Sequence, residues 1–167
     1  MKTLLVLRHA KSSWSNPGQS DHERPLNKRG RAAAPRMGQL LVEQQIIPEL
    51  IICSTAERAR QTGDLLADAC KFSGNLVHET QLYLAPPSAY IEQLQQMDDA
   101  IQSVMVIGHN PGLEDLVGFF CDDPNFVMPT AALAELHLEI DEWRKLGIRT
   151  HAKLNNYWIP KELDANL

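Results

Sequence analysis

The chain has 167 residues, enough for one domain of ordinary size with a real core, expected to run over 1–167. Its 16 basic and 21 acidic side chains leave a formal net charge of -5, which argues against sequence-independent nucleic-acid binding, since that requires a basic surface. The apolar run after Lys2 is cut short by Arg8, too early for a signal-peptide core, and nothing approaches the roughly 18 apolar residues of a membrane span, so a soluble cytoplasmic protein is expected.

Residues 3 to 8 are continuously apolar up to Arg8, the pattern of a central strand covered on both faces. A long polar loop follows, from Lys11-Ser12-Ser13-Trp14 to Arg24-Pro25-Leu26, and loops of this length without regular structure are often functional. Asn27 is a good N-cap for a helix from Lys28 to Gln44, with Ala33, Met37, Leu40 and Leu41 at helical spacing; Pro35 should kink it or mark its early turns. Leu50 to Cys53 is a second buried strand and Ala56 to Ala69 a second helix, with Ala59, Thr62, Leu65, Leu66 and Ala69 on one face. Leu76-Val77-His78 is a short third strand. Ser88 can cap a helix from Ala89 to Met97, after Pro86-Pro87. The strand Val104 to Ile107 ends in Gly108-His109-Asn110-Pro111-Gly112, where Asn110 is the expected cap of the next helix and Pro111 its first residue. Late in the chain, Leu136, Leu138 and Ile140 alternate with Glu135, His137 and Glu139, as in a strand with one wet face near a sheet edge, and Arg149 to Tyr157 is its antiparallel neighbour. The alternation of strands and helices gives an α/β fold: a three-layer α/β/α sandwich with a mostly parallel central sheet and one antiparallel edge strand.

Two of these strands end in a histidine, His9 and His109, and ligands bind at the carboxyl edge of open α/β sheets. Arg8 beside His9 points to an anion, with phosphate the first candidate. A third strand is followed by Ser54-Thr55-Ala56-Glu57-Arg58, whose first helical turn would bring Arg58 to the same edge. Cys53, Cys70 and Cys121 are odd in number and lack close pairing, so they read as small hydrophobes rather than a disulfide or zinc framework.

Taken in order, Leu7-Arg8-His9-Ala10-Lys11-Ser12, Arg24-Pro25-Leu26 with Arg29-Gly30, Ser54 to Thr62, and Gly108-His109-Asn110-Pro111 resemble the histidine phosphatase superfamily, the phosphoglycerate mutase-like or Arg-His-Gly family. Within it the chain is most similar to the SixA-type phosphohistidine phosphatases, with Ala10 in place of the usual glycine. The resemblance implies His9 as nucleophile, with Arg8, Arg58 and His109 on the phosphate oxygens. It implies neither metal nor other cofactor. His109 is expected to act mostly as a cation, although its place before a helix N-terminus opposes protonation. Lys11 and Ser12, in the loop after His9, are candidate phosphate donors, and Asn16 a weaker one. Arg24 reads as a brace for the loop through a carboxylate such as Asp21. Trp14 is either a contact for a protein substrate or packing for its own loop. The segments Pro86-Pro87-Ser88 and Asp122 to Asn125 are rim candidates that also fit ordinary turns, and His22, His78, His137 and His151 read as structural or surface residues.

Ester-cleaving members of the superfamily place a carboxylic acid after the third strand to protonate the departing alkoxide. Here the corresponding position holds Leu84 or Ala85; Glu79 falls too early, and Glu114 reads as a side chain matched to its helix dipole. An alkoxide leaves poorly without an acid, a loss of roughly 10² to 10⁴ in rate. Imidazole leaves more readily. The expected function is therefore a phosphatase acting on a histidine-phosphorylated protein, a phosphotransfer domain or phosphocarrier, with no nucleic-acid or membrane partner. The alternatives are a phosphomonoesterase of small esters, which Glu79 or Glu114 reaching the leaving oxygen would favour, and a phosphate-binding module with little turnover.

Overall fold

The computed structural model describes residues 1–164. Its centre is a six-stranded sheet of order β3-β2-β4-β1-β5-β6, built from β1 (Lys2–Arg8), β2 (Leu50–Ser54), β3 (Asn75–Glu79), β4 (Ser103–Gly108), β5 (Leu133–Leu138) and β6 (Ala152–Trp158). The helices are α1 (Lys28–Glu43), α2 (Glu57–Ala69), α3 (Pro87–Gln95), α4 (Gly112–Cys121) and α5 (Pro160–Asp164).

The unbroken apolar run of β1 is explained by its two faces. Leu4 and Val6 join a core with Tyr90, Ile91 and Leu94 of α3 and Leu113, Leu116 and Phe120 of α4. Leu5 and Leu7 face the other way, against Met37, Leu40 and Leu41 of α1 and Ala59 and Leu66 of α2. A sheet covered by helices on both sides is a three-layer α/β/α sandwich.

β1 and β4 run parallel in register, with Arg8 opposite Gly108, and β2 lies parallel on the far side of β4. The carboxyl ends of these three adjacent strands therefore deliver His9, His109 and the Ser54 to Arg58 turn to one place. β5 is antiparallel to β1 and β6 antiparallel to β5, so the single reversed strand lies one position in from the edge, with β6 outside it. That cover also alters the wet face: Glu135 is buried, accepting hydrogen bonds from Asn155 and Asn156 of β6 and pairing with His137.

The cap of α1 is as expected, since Asn27 accepts a hydrogen bond from the Gly30 amide at 3.0 Å. Two other caps are not. α3 begins two residues earlier than expected, with Pro86 at the cap and Pro87 in its first turn, so Ser88 lies inside the helix; proline is pre-shaped for a first turn and needs no amide hydrogen there. α4 begins at Gly112 with Pro111 at the cap, and Asn110 instead donates its side-chain amide to Glu114 and to the Met128 carbonyl. Among the described residues no helix is long and apolar enough to cross a membrane.

Candidate active site

His9 follows β1 directly. Its amide donates to the Gly108 carbonyl at 3.1 Å, and the Ala131 amide donates to the Arg8 and His9 carbonyls, so the strand pattern continues through the histidine. Ala10 is fully buried, and its amide donates to Thr62 Oγ1 of α2 at 3.0 Å, whose hydroxyl in turn donates to the Arg58 carbonyl. Behind this turn α1 comes very close: a Cβ on Gly30 would lie 2.1 Å from the Lys11 carbonyl oxygen. Glycine at that position lets the first turn of α1 seat against the loop after His9.

The His9 ring sits 5.1 Å from the His109 ring, centroid to centroid. His9 Nδ1 is 2.8 Å from the Ala10 carbonyl oxygen. A carbonyl only accepts, so Nδ1 carries the proton and Nε2 keeps its lone pair. Burial pushes the His9 pKa down to about 3; the Ala10 hydrogen bond opposes this, while Arg58, Arg8 and Arg24 reinforce it. His109 is likewise pushed down to about 3, first by burial and then by His9 and Arg58. In the free site His109 is therefore neutral, because burial and the nearby guanidiniums disfavour a further cation; the expected cation was one favoured by a bound anion.

The anchors of the two arginines leave Nε of Arg58, and Nε and Nη2 of Arg8, without a bond among the described residues. Arg8 donates through Nη1 to the Met128 carbonyl at 3.0 Å. Arg58, 3% exposed, donates through Nη1 to the Asp21 carbonyl at 2.7 Å and through Nη2 to the Asp21 carboxylate at 3.1 Å. The Nε atoms of both arginines and Nδ1 of His109 are buried without a hydrogen-bond partner. Buried polar atoms are nearly always satisfied, and with Asn110 Oδ1 also unpaired the site holds both donors and an acceptor without partners.

Arg8, His9, Lys11, Ser12, Arg58 and His109 all line one open cavity of about 300 Å³. Trp14, Asp21, Arg24, Leu84, Asn110 and Thr130 complete it. Four cationic side chains face one carboxylate there, a local positive pocket on an acidic chain. Ser12 is nearly buried and accepts from Arg24 Nη2 at 2.5 Å, while Lys11 is exposed at the mouth. Asn16 does not line the cavity.

Asp21 holds the site together. Its carboxylate accepts from Arg24 at 2.9 Å, from Arg58 and, in a very short contact, from the Tyr83 hydroxyl. Desolvation raises its pKa, but the bonds from Tyr83, Arg24 and Arg58 outweigh that and hold the carboxyl well below the ordinary range. The bracing of Arg24 by Asp21 was legible from their adjacency; the ties to Arg58 and Tyr83, 37 and 62 residues away, had no sequence signal. Ser54, buried and 2.7 Å from His109 Nε2, was missed for the same reason.

Trp14 is 75% exposed and stacks on the Arg24 guanidinium, 3.2 Å from its centroid, so it borders the cavity and does not pack in the core. Glu114 does not line the cavity; it receives hydrogen bonds from Asn110 and from the Met128 amide. Glu79 ends β3 away from it, and Leu84 occupies the wall instead. Of the rim candidates, Pro86-Pro87-Ser88 opens α3, and Asp122 and Pro124 line a separate depression with Phe119.

Fold and site together define an α/β protein with a cationic, two-histidine pocket at the carboxyl edge of its parallel strands. The model of the histidine phosphatase superfamily, branch 1, matches residues 4–82. An uncharacterised protein of Mycobacterium leprae is 31% identical over 167 residues, covering 93% of this chain and 100% of that protein. An uncharacterised chloroplast protein of Arabidopsis thaliana is 34% identical over 123 residues, 68% of this chain and 56% of its own length. The chain thus spans little more than half the length of some of the relatives it matches. Among solved structures, a protein of Agrobacterium tumefaciens assigned as the phosphohistidine phosphatase SixA superposes with a TM-score of 0.81 at 28% identity, over 95% of this chain and 98% of that one. The chain belongs to the histidine phosphatase superfamily.

Proposed function

We propose that this protein is a phosphohistidine phosphatase, acting on a histidine-phosphorylated protein through a covalent phosphohistidine at His9. The observation that carries the reading is the character of the pocket wall. Of Leu84 and Ala85, the residues expected where ester-cleaving members of the superfamily carry an acid, Leu84 lines the pocket and neither is a carboxylate, while the carboxylate that does line it, Asp21, is held ionised by Tyr83, Arg24 and Arg58. None of the three can protonate an alkoxide. A phosphohistidine does not require that help, because its imidazole leaves more readily than an alkoxide.

In the first half-reaction His9 Nε2 attacks phosphorus; the new P–N bond replaces one of similar energy, and the departing imidazole takes its proton from water. The Ala10 carbonyl fixes the tautomer that makes the attack possible. Arg8 and Arg58 spread positive charge over the equatorial oxygens, Arg58 through the Nε its anchors leave unpaired and Arg8 through Nε and Nη2. In the tautomer that fits this role, the Ser54 hydroxyl donates to His109 Nε2 and the proton of a neutral His109 lies on Nδ1, the atom without a partner. His109 then serves as a neutral donor. Lys11 and Ser12 add donors at the mouth. In the second half-reaction water attacks the phosphorus and the P–N bond to His9 breaks; Nε2 recovers its lone pair, the water's protons leave on the phosphate, and one of them neutralises the hydroxide formed in the first half.

The test compares turnover of a phosphohistidine-bearing protein with that of simple phosphate esters, and repeats both with His9→Ala. Preference for the phosphohistidine protein, with both activities lost in the variant and acid-labile phosphate trapped on the parent alone, is the expected result. Faster ester turnover selects the phosphomonoesterase, and binding without turnover selects the recognition module.

A further inference from the structure

The phosphate pocket does not end at Lys11. Lys11 and Thr130 are shared with an adjoining groove that also takes in Arg29, Ala33, Pro160 and Lys161, and Arg29, Ala33, Pro160 and Lys161 continue into a further depression of about 360 Å³ between α1 and α5. Its floor is apolar and its cations are Lys11, Arg29 and Lys161, all exposed. Among the described residues no carboxylate lines either part of the groove. Arg144 and Lys145 pair with Glu142; Lys11, Arg29 and Lys161 have neither an ion pair nor a side-chain hydrogen bond among the described residues.

We propose that this groove receives an acidic segment of the phosphoprotein, next to its phosphohistidine, and so selects the substrate. The inference rests on the phosphohistidine reading given above. Two observations identify the occupant. The groove is continuous with the pocket through Lys11 and Thr130, so a chain segment that places a phosphate on His9 can run on into it. The unpaired charge along it is all positive, whereas the chain as a whole carries -5. An acidic partner is repelled by most of the molecule and attracted here, which selects both partner and orientation during approach. The small apolar floor of Ala32, Ala33 and Pro160 admits the body of a chain segment, with carboxylates reaching the cations at its sides.

The experiment uses the double variant Arg29→Glu/Lys161→Glu, both positions lying outside the catalytic pocket, and the milder Arg29→Gln/Lys161→Gln. Turnover is measured with a phosphohistidine-bearing protein and, separately, with free phosphohistidine. Charge reversal should lower kcat/KM for the protein substrate by roughly tenfold, mainly through KM, with the neutral pair intermediate and the salt dependence flattened. Turnover of free phosphohistidine should stay within about twofold of the parent, given that loss of a screened exposed charge is a small effect; this also shows that the variants are folded. An unchanged KM for the protein, or an equal loss on both substrates, overturns the groove assignment while leaving the phosphohistidine reading intact. A parent protein that turns over neither substrate overturns that reading and the groove with it.

Discussion

Replacing Asp21 by Asn removes the charge from the carboxylate that joins Arg24, Arg58 and Tyr83 while keeping its shape. Breaking a buried ion pair costs about 3 to 5 kcal/mol and an exposed pair about 1 or less. Asp21 is 36% exposed, whereas Arg58 is 3% exposed, so the pair falls between these limits at about 1 to 2 kcal/mol. The backbone bond from Arg58 to the Asp21 carbonyl survives, which keeps the cost at the lower end. The amide has one acceptor oxygen for three donors, and its NH₂ turns two donors toward an arginine or the tyrosine. Arg58 then loses its aim, and kcat/KM should fall about 5- to 30-fold, nearer the lower figure, since each 1.4 kcal/mol is a factor of ten. Stability gives an independent reading. The folded carboxyl titrates below its unfolded value of about 4, so its contribution is present above that pH and disappears as pH falls. Urea midpoints of parent and variant should differ at neutral pH and converge below about pH 4. Undiminished kcat/KM would refute the positioning argument, and a gain would mean that Asp21 competes with phosphate for Arg58.

Leu84→Glu restores a carboxyl to the pocket wall and should raise phosphate-ester turnover at least tenfold, a fraction of the roughly 10² to 10⁴ that general acids supply; unchanged ester rates would show that the missing acid is not what limits them. Thr62→Val keeps shape but strands the Ala10 amide, so a loss of about 1 to 3 kcal/mol is expected in denaturant unfolding, with a fall in kcat as the turn after His9 loosens. His9 and His109 have folded pKa values near 3, below the unfolded value of about 6.5. The unfolded chain thus binds more protons between these limits, and stability is full above about pH 6.5 and lost as pH falls towards 3. The slope approaches about 1.4 kcal/mol per pH unit for each histidine. Urea midpoints constant from pH 7 to pH 5 would contradict the neutral state, and His109→Gln should roughly halve the slope.

The residues legible in the sequence are those whose position follows from a strand end. Arg8, His9 and His109 stand directly after apolar runs, so a parallel sheet carries them to one edge however the rest folds. The helix and strand order follows from the same periodicity. Asp21 and Tyr83 were harder because their role lies in contacts between a loop and segments 37 and 62 residues away, and nothing local distinguishes them from other turn residues. The caps at Ser88 and Asn110 failed because proline neighbours fit the start of a helix on their own and released those side chains. The charge of His109 depended on burial, which the sequence counts only as composition.

The stack of Trp14 on Arg24 gives the pocket an optical reporter. Of the three tryptophans, Trp143 is fully buried and Trp158 half-buried, so Trp14 is the exposed one, with its indole against a guanidinium that also holds Ser12 and Asp21. An oxyanion drawn in among Arg8, Arg58 and His109 redistributes charge around Arg24, and the indole emission must respond. Occupancy can then be followed in solution without turnover, with vanadate or tungstate as titrant and Trp14→Phe as the blank.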